Sequence, residues 1–462
     1  MTIILFEDET YRNFATLAET RALYEFRCGG FTLRERMAAA LAYPATSRVW
    51  PKGGKLLGLC RQHLMRCYGS RDGFGALLSE SAPLTLVNGR VLSLAWLPEL
   101  LAAPLNTVYT AGDVLIGAHL SPALASAIFY YLREQRASEA LAELRRFARL
   151  HDLDDQGLAP PLISFPWDLI AENGKQLERD EPLLAARLPS YTSADSQIVV
   201  RGAPHVYVAA GARLDGPMVL DARDGPVFID EGAHIEPFSF IQGPAYIGPN
   251  TIIASARIRG ETSFGSTCRI GGEVEASIVQ GFSNKHHDGF LGHSWLGEWV
   301  NIGAMTTNSD LKNNYGTIRV TLEGVGQLDS GQIKLGCFLA DHVKLGIGIH
   351  LNGGTVIGTG SNIFGMHAAP KTIPSFTWGG DVLREYRIDG MVKVARTVMK
   401  RRKQDLHPEF ETMLRDVFAM TRLSRSDLGG LLPGSATPAM PDGEAALVRA
   451  EQEAVRAFEP VA

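Results

Sequence analysis

The chain has 462 residues, and at about 150 residues per domain that length exceeds one ordinary core and divides into roughly three units. With 45 Lys+Arg against 50 Asp+Glu, a net charge of −5 and 45% hydrophobic residues, the composition is globular and lacks the basic field that draws nucleic acid. Five cysteines, at positions 28, 60, 67, 268 and 337, show no C-x-x-C spacing, which speaks against a disulfide framework or a zinc knuckle and fits a reducing cytoplasm; no apolar run approaches the roughly 20 residues of a membrane span, and the stretch MTIILFEDE lacks the basic start and apolar length expected of a signal peptide.

In chain order, Thr2 to Phe6 reads as a strand and Thr32 to Leu41 as a helix with Arg34, Glu35 and Arg36 outward. Leu84 to Val87 and Val114 to Gly117 follow as strands, and Ala123 to Glu134 and Ser138 to Leu150 as helices. Strands alternating with helices of this length predict an α/β domain with a mostly parallel sheet over residues 1–190. The acidic, then Pro-rich stretch Leu153 to Pro161 and the polar stretch Glu172 to Pro189 place the hand-over between 165 and 195.

From about residue 200 an aliphatic residue recurs every six positions, first at Ile229, Ile235, Ile241, Ile247 and Ile253, later at Leu345, Leu351, Ile357 and Ile363. Period six is neither helical nor strand alternation. It requires a chain that turns a corner after each short strand and stacks one aliphatic residue at the inside of each corner. Three such strands close a coil of about 18 residues, and coils stack at roughly the interstrand spacing of 4.8 Å, which is a parallel β-helix. Residues 191–380 are assigned to it. Thr306 to Gln332 breaks the period and is expected to project as a site loop. Residues 381–424, with apolar residues at helical spacing, predict a helical arm that caps the last coil, and residues 425–462 a tail that opens on a Gly/Pro/Ala/Ser-rich linker from Gly429 to Asp442, with a short helix at Glu444 to Phe458.

The segment from Asn284 to Gly303 gathers His286, His287 and His293. Histidine can take a proton near neutral pH, as an amine attacking a thioester requires; the alternative is that these side chains hydrogen-bond neighbouring coils. No clear third ligand accompanies them, so no metal residue is assigned. Near the N-terminus, Thr20, Arg21, Arg27, Gly29, Gly30 and Arg34 place three arginines and a Gly-Gly turn within a short span, suited to a nucleotide or sugar phosphate or else to a solvated helix face balanced by Glu25 and Glu35. Trp50 to Lys55 is a lysine-flanked glycine pair without Walker spacing. The run Lys400-Arg401-Arg402-Lys403 on the arm is either a solvated face or a partner for the phosphates of coenzyme A or a nucleotide, should the arm fold beside the site.

The stretch KHHDGFLGHSWLGEWVNIGA resembles the acetyltransferase segment of the bifunctional N-acetylglucosamine-1-phosphate uridylyltransferase / glucosamine-1-phosphate N-acetyltransferase family, with its left-handed β-helix. His287 falls on that family's base, Phe290 on a tyrosine position and Arg257 near the arginine that binds substrate phosphate. The partner lysine falls near Glu275, where the sequence has none, and Asn308, Asn314 and Tyr315 in the NSDLKNNYG loop stand only approximately where the family has an asparagine-tyrosine pair. That loop, PWDLI at Pro166 to Ile170 and FTWG at Phe376 to Gly379 are similar to a variant bacterial branch of sugar nucleotidyltransferases, whose N-terminal pattern the Thr20 to Arg34 residues also resemble. The resemblance implies an α/β nucleotidyltransferase-like domain, a left-handed hexapeptide β-helix and a C-terminal helical arm. It implies a sugar 1-phosphate, a nucleoside triphosphate with Mg²⁺, and acetyl-CoA as cosubstrate, in a cytoplasmic homotrimer. Two alternatives stay open: an acyltransferase with a degenerate N-terminal domain, and a trimeric scaffold that binds sugar nucleotides without turnover.

Overall fold

Thr2–Phe6 is buried along its whole length, as a strand flanked on both sides and covered on both faces must be. This strand, β1, pairs in parallel with β2 (Lys55–Leu59) and β3 (Leu84–Asn88). The computed structural model describes residues 2–42, 55–69, 83–155, 157–193, 195–426 and 428, so Trp50 to Gly54, the Gly429 to Asp442 linker and the Glu444 to Phe458 helix lie outside the described residues. The expected mostly parallel sheet is mixed. β4 (Thr107–Ala111) and β5 (Val114–Leu120) form a hairpin across Gly112, whose φ of 54° suits a two-residue turn, and β5 is therefore antiparallel to both its neighbours, β4 and β3. The helix expected over Ser138 to Leu150 stops at Leu144, and Arg149–Asp152 adds an edge strand, β6, parallel to β4. Strand order is β2-β1-β3-β5-β4-β6.

The six-residue period describes the second half as expected. Ile229, Ile235, Ile241, Ile247, Ile253, Ile357 and Ile363 are fully buried in one elongated core, with parallel registers such as Ile229↔Ile247 and Ile253↔Ile270 from coil to coil. One face is a nine-stranded parallel sheet running from Val206–Val208 to Thr372–Ile373. The other two merge into a 14-stranded sheet because Ile252–Ile258 and Arg269–Glu275 continue round the corner between them.

Residues up to Arg425 fold as one compact unit because the α/β layer and the coils share buried surface. The insertion Thr306 to Gln332 is part of that surface rather than a free loop. It carries an antiparallel hairpin, Arg319–Leu322 with Gly326–Asp329, and its Ile318, Val320 and Leu322 are buried in one cluster with Phe14, Leu17 and Trp295. The C-terminal arm forms two helices, Ile388–Arg401 and Pro408–Met420, whose Met391, Ala395, Met413 and Val417 pack with Phe376 of the last coil and with Ile3 and Leu64 of the α/β layer. The arm thus covers the end of the stack and clamps the two halves together.

Glu19 lies in this junction and accepts a hydrogen bond from Ser375 Oγ at 2.6 Å. Burial, aided by the charge of Glu323, pushes its carboxyl from 4.5 up to about 8. A carboxyl raised in this way contributes stability that is complete below 4.5 and is lost as pH rises through about 8. The melting temperature is therefore expected to fall between about pH 4.5 and about pH 8, and Glu19→Gln, which cannot ionise, to flatten that fall in calorimetry. Parallel curves for variant and wild type would contradict it.

Candidate functional site

The inward column of one solenoid face holds Ile253, Ile270, Ile302, Leu345 and Ile363, and Lys285 occupies the same column, level with Ile270. An ammonium there must find acceptors or forfeit its hydration. Lys285, 2% exposed, turns to the corner and donates from Nζ to the carbonyl oxygens of Gly271 (2.8 Å) and His287 (2.7 Å). Burial pushes it down to about 8, with the charge of Asp288 opposing. Beneath the corner the backbones approach so closely that a Cβ on Gly271 would fall 1.8 Å from the His286 carbonyl oxygen, so only glycine fits there. Lys285 and Gly271 together hold the turn His286 to Gly289, on which the His287 side chain is exposed.

Two outward columns flank this corner. On one side Arg257, Glu273 and Phe290 are in register coil upon coil, and Phe290 N–H donates to Thr307 Oγ1 at 3.3 Å. Arg257 is exposed and meets Glu273 at 3.4 Å. On the other side Arg269, Asn284 and Asn301 are in register, with Asn284 Nδ2 donating to Asn301 Oδ1 at 2.8 Å. Expected site residues His287, Arg257 and Phe290 are therefore brought around one corner.

The other expected residues are engaged elsewhere. Asn308 is buried and stitches two coils, accepting from Gly292 N at 2.8 Å and donating to Gly292 O at 2.9 Å. Asn314 and Tyr315 are exposed on the insertion, and their hydrogen bonds stay local, to Gly316 and Lys312. Of the residues expected to hold a phosphate, Thr20, Arg21, Arg27, Gly30 and Arg34 bond to carboxylates and Gly29 to the amide of Asn173. Thr20 Oγ1 donates to Asp341 Oδ2 at 2.7 Å, and Arg21 forks onto the same carboxylate at 3.0 and 3.1 Å with Glu298 at 3.4 Å. Arg27 pairs with Glu35 at 2.9 Å and Arg34 with Glu25. Gly29 and Gly30 donate their backbone N–H to Asn173 (2.7 Å) and Asp180 (3.0 Å) of the helix Pro166–Ala185, and Asp180 also takes Arg36. Thr20, Arg21 and the backbone N–H of Arg27, which donates to Gln280 at 3.0 Å, thus dock the α/β layer onto the solenoid, whereas the Arg27–Glu35, Arg34–Glu25 and Gly-Gly contacts lie within the α/β layer. Glu7 and Asp8, at the carboxyl end of β1, are paired likewise, with Arg61 at 3.1 Å and Arg90 at 2.7 Å.

Two pairings escape sequence reasoning. Lys334, two residues past the insertion, reaches Glu275 at 3.2 Å and supplies a cation where the sequence neighbourhood of Glu275 has no lysine. His293 Nδ1 meets Asp310 Oδ2 at 2.8 Å, and that contact helps hold the Asp310 carboxyl below its ordinary range, so of the three histidines His293 is the one fastened to a carboxylate.

Residues 3–188 match the family model described as sugar nucleotidyl transferase. The chain is 33% identical over 152 residues to the bifunctional sugar-1-phosphate nucleotidylyltransferase/acetyltransferase of Sulfurisphaera tokodaii, covering 30% of this chain and 35% of that one. It is 26% identical over 252 residues to the bifunctional protein GlmU of Methanococcus vannielii, covering 54% of each. The matches thus span about half or less of these relatives' length. Among solved structures, the Arabidopsis UDP-N-acetylglucosamine acyltransferase aligns over 50% of this chain and 94% of its own at 11% identity and a TM-score of 0.23. The N-acyltransferase AntD from Bacillus cereus, in complex with dTDP and 3-hydroxybutyryl-CoA, aligns over 46% of this chain and 99% of its own at 15% identity and a TM-score of 0.20. Residues 3–188 thus match the sugar nucleotidyl transferase family, and the chain they open is similar to bifunctional sugar-1-phosphate nucleotidylyltransferase/acetyltransferases.

Proposed function

We propose that this chain is a bifunctional transferase of sugar-nucleotide synthesis, which acylates a sugar amine from acetyl-CoA on the β-helix and joins a sugar 1-phosphate to a nucleoside triphosphate in residues 3–188. The observation that carries the reading is the corner itself: an exposed imidazole on a turn fixed from beneath, beside the Arg257 and Phe290 column. His287 takes the proton from the amine as its nitrogen attacks the thioester carbonyl; the N–C bond forms, the C–S bond breaks and the thiol leaves with a proton. Arg257 faces the acceptor's phosphate and Phe290 its ring. A homotrimer would bring a neighbouring solenoid against the corner. A cytoplasmic location accords with buried thiols at Cys28, Cys60, Cys268 and Cys337 and with the absence, among the described residues, of a helix long and apolar enough to cross a membrane.

Among the described residues the side chains do not converge on a site for Mg²⁺. No three His, Cys, Asp or Glu converge among the described residues, and Asp8 engages Oδ2 with Arg90 and Asn88. The paired state of Arg21, Arg27 and Arg34 favours a second reading, in which the N-terminal domain docks the solenoid without nucleotidyl transfer.

Both halves are tested by incubating the full chain with UTP or dTTP and a panel of hexose 1-phosphates, and separately with acetyl-CoA and amino-sugar phosphates. Thiol release that depends on the amino sugar is expected, together with pyrophosphate release from one nucleotide and sugar pair. Acyl transfer without pyrophosphate selects the second reading; no thiol release with any acceptor removes the acyl half.

A further inference from the structure

We propose that Arg402 of the C-terminal arm and Arg269 of the solenoid, with His286 beside them, form a phosphate-binding site next to the His287 corner. The arm reaches this corner through a column of rings. Phe282 and Trp299 stack at 4.5 Å, His342 follows at 6.2 Å, and Phe410 of the second arm helix closes the column at 6.2 Å from His342. Each solenoid ring stands two residues before a member of the outward column: Phe282 before Asn284, Trp299 before Asn301 and His342 before Lys344. The turn that joins the two arm helices therefore runs beside the column containing Arg269. It carries Arg402, half-buried just past the end of the first arm helix, within electrostatic reach of Arg269, Cys268 and His286.

Counter-charge separates these two arginines from the buried arginines of the molecule. Arg21, Arg27, Arg36, Arg61 and Arg90 are buried and each faces a carboxylate. Arg269 and Arg402 are half-buried and neither forms an ion pair among the described residues; Arg269 Nη1 donates only to the backbone oxygens of Asn250 (3.3 Å) and Cys268 (3.0 Å). His286 Nδ1 is buried without a hydrogen-bond partner among the described residues. Glu236 is the carboxylate whose charge reaches His286, and burial with the surrounding cations outweighs it, holding that imidazole below its ordinary range. Two guanidinium groups drawn from water beside each other, without an acid between them, are costly until an anion arrives. A phosphate ester suits them, because each guanidinium presents parallel N–H donors to phosphate oxygens.

The ligand is a phosphate ester of one of the acyl-transfer substrates, and to that extent the inference rests on the proposed function. Either the nucleotide end of the coenzyme or the phosphate of the sugar supplies the group. Isothermal titration of the full chain with adenosine 3′,5′-bisphosphate and with glucosamine 1-phosphate distinguishes them. Arg402→Ala and Arg269→Ala are each expected to weaken one probe about tenfold or more, Arg402→Lys to lose less, and the melting temperatures to stay at the wild-type value. Loss confined to the bisphosphate assigns the coenzyme, and loss confined to the sugar phosphate assigns the acceptor. Equal binding of both probes by wild type and the Arg269→Ala/Arg402→Ala double variant, including no binding by either, overturns the site. Turnover is measured separately, so a failed phosphate site with acyl transfer intact is distinguishable from a failed acyl-transfer reading.

Discussion

His287→Ala is expected to lower the rate of acyl transfer by about 10²- to 10⁴-fold, the range for loss of a positioned general base, with pyrophosphate release and the melting temperature unchanged. The side chain is exposed, so its removal opens no cavity, and its turn is held by backbone oxygens that alanine retains. Among the neighbouring histidines, His286 is half-buried and His293 is fastened to Asp310, which leaves His287 as the ring free to meet an acceptor. A companion variant, Lys285→Met, separates holding the base from being the base. It leaves two carbonyl oxygens without their ammonium, so kcat falls by a smaller factor, about tenfold, while KM for acetyl-CoA is preserved. A His287→Ala enzyme with undiminished acyl transfer would move the base elsewhere, and His293 with Asp310 would be the pair to examine.

Features set by short-range spacing are legible in the sequence, and features set by distant partners are not. The β-helix is readable because its rule is local: an aliphatic residue every sixth position, and Ile229 to Ile253 in that register are all fully buried. The β4–β5 hairpin has its signal in Ala111-Gly112-Asp113, which the alternation of strands with helices outweighs in favour of a parallel pattern. The alternation Ile318, Val320, Leu322 likewise marks a strand with one buried face, though the broken period draws attention to loop chemistry instead. The arginines between 21 and 34 look like a phosphate grip because two of their main acids, Asp341 and Glu298, lie more than half the chain away in sequence. Separation along the chain hides Lys334 from Glu275 in the same way. Lys285 interrupts the aliphatic column, and only the fold shows that its ammonium leaves the core for two carbonyls at the corner.

Asp341→Ala is expected to destabilise the protein by about 3–5 kcal/mol, because it removes one partner of a buried ion pair and strands the rest. Asp341 is 1% exposed and receives Thr20 Oγ1, both bonds of Arg21 Nη2 and the backbone N–H of Glu298 at 2.7 Å. Without it, Arg21 keeps only Glu298 at 3.4 Å, whose own carboxyl burial already pushes up. Water cannot take over, since Thr20 and Arg21 are sealed between the α/β layer and the coil. The melting temperature should drop by about 3–6 °C, whereas Glu273→Ala, which breaks the exposed pair with Arg257, should cost less than about 1 kcal/mol. Thermal unfolding of the two variants beside Asp341→Asn, which retains part of the hydrogen bonding, measures the difference. If Arg21 serves a nucleotide instead of the interface, the outcome reverses: Asp341→Ala keeps its melting temperature and changes nucleotide affinity.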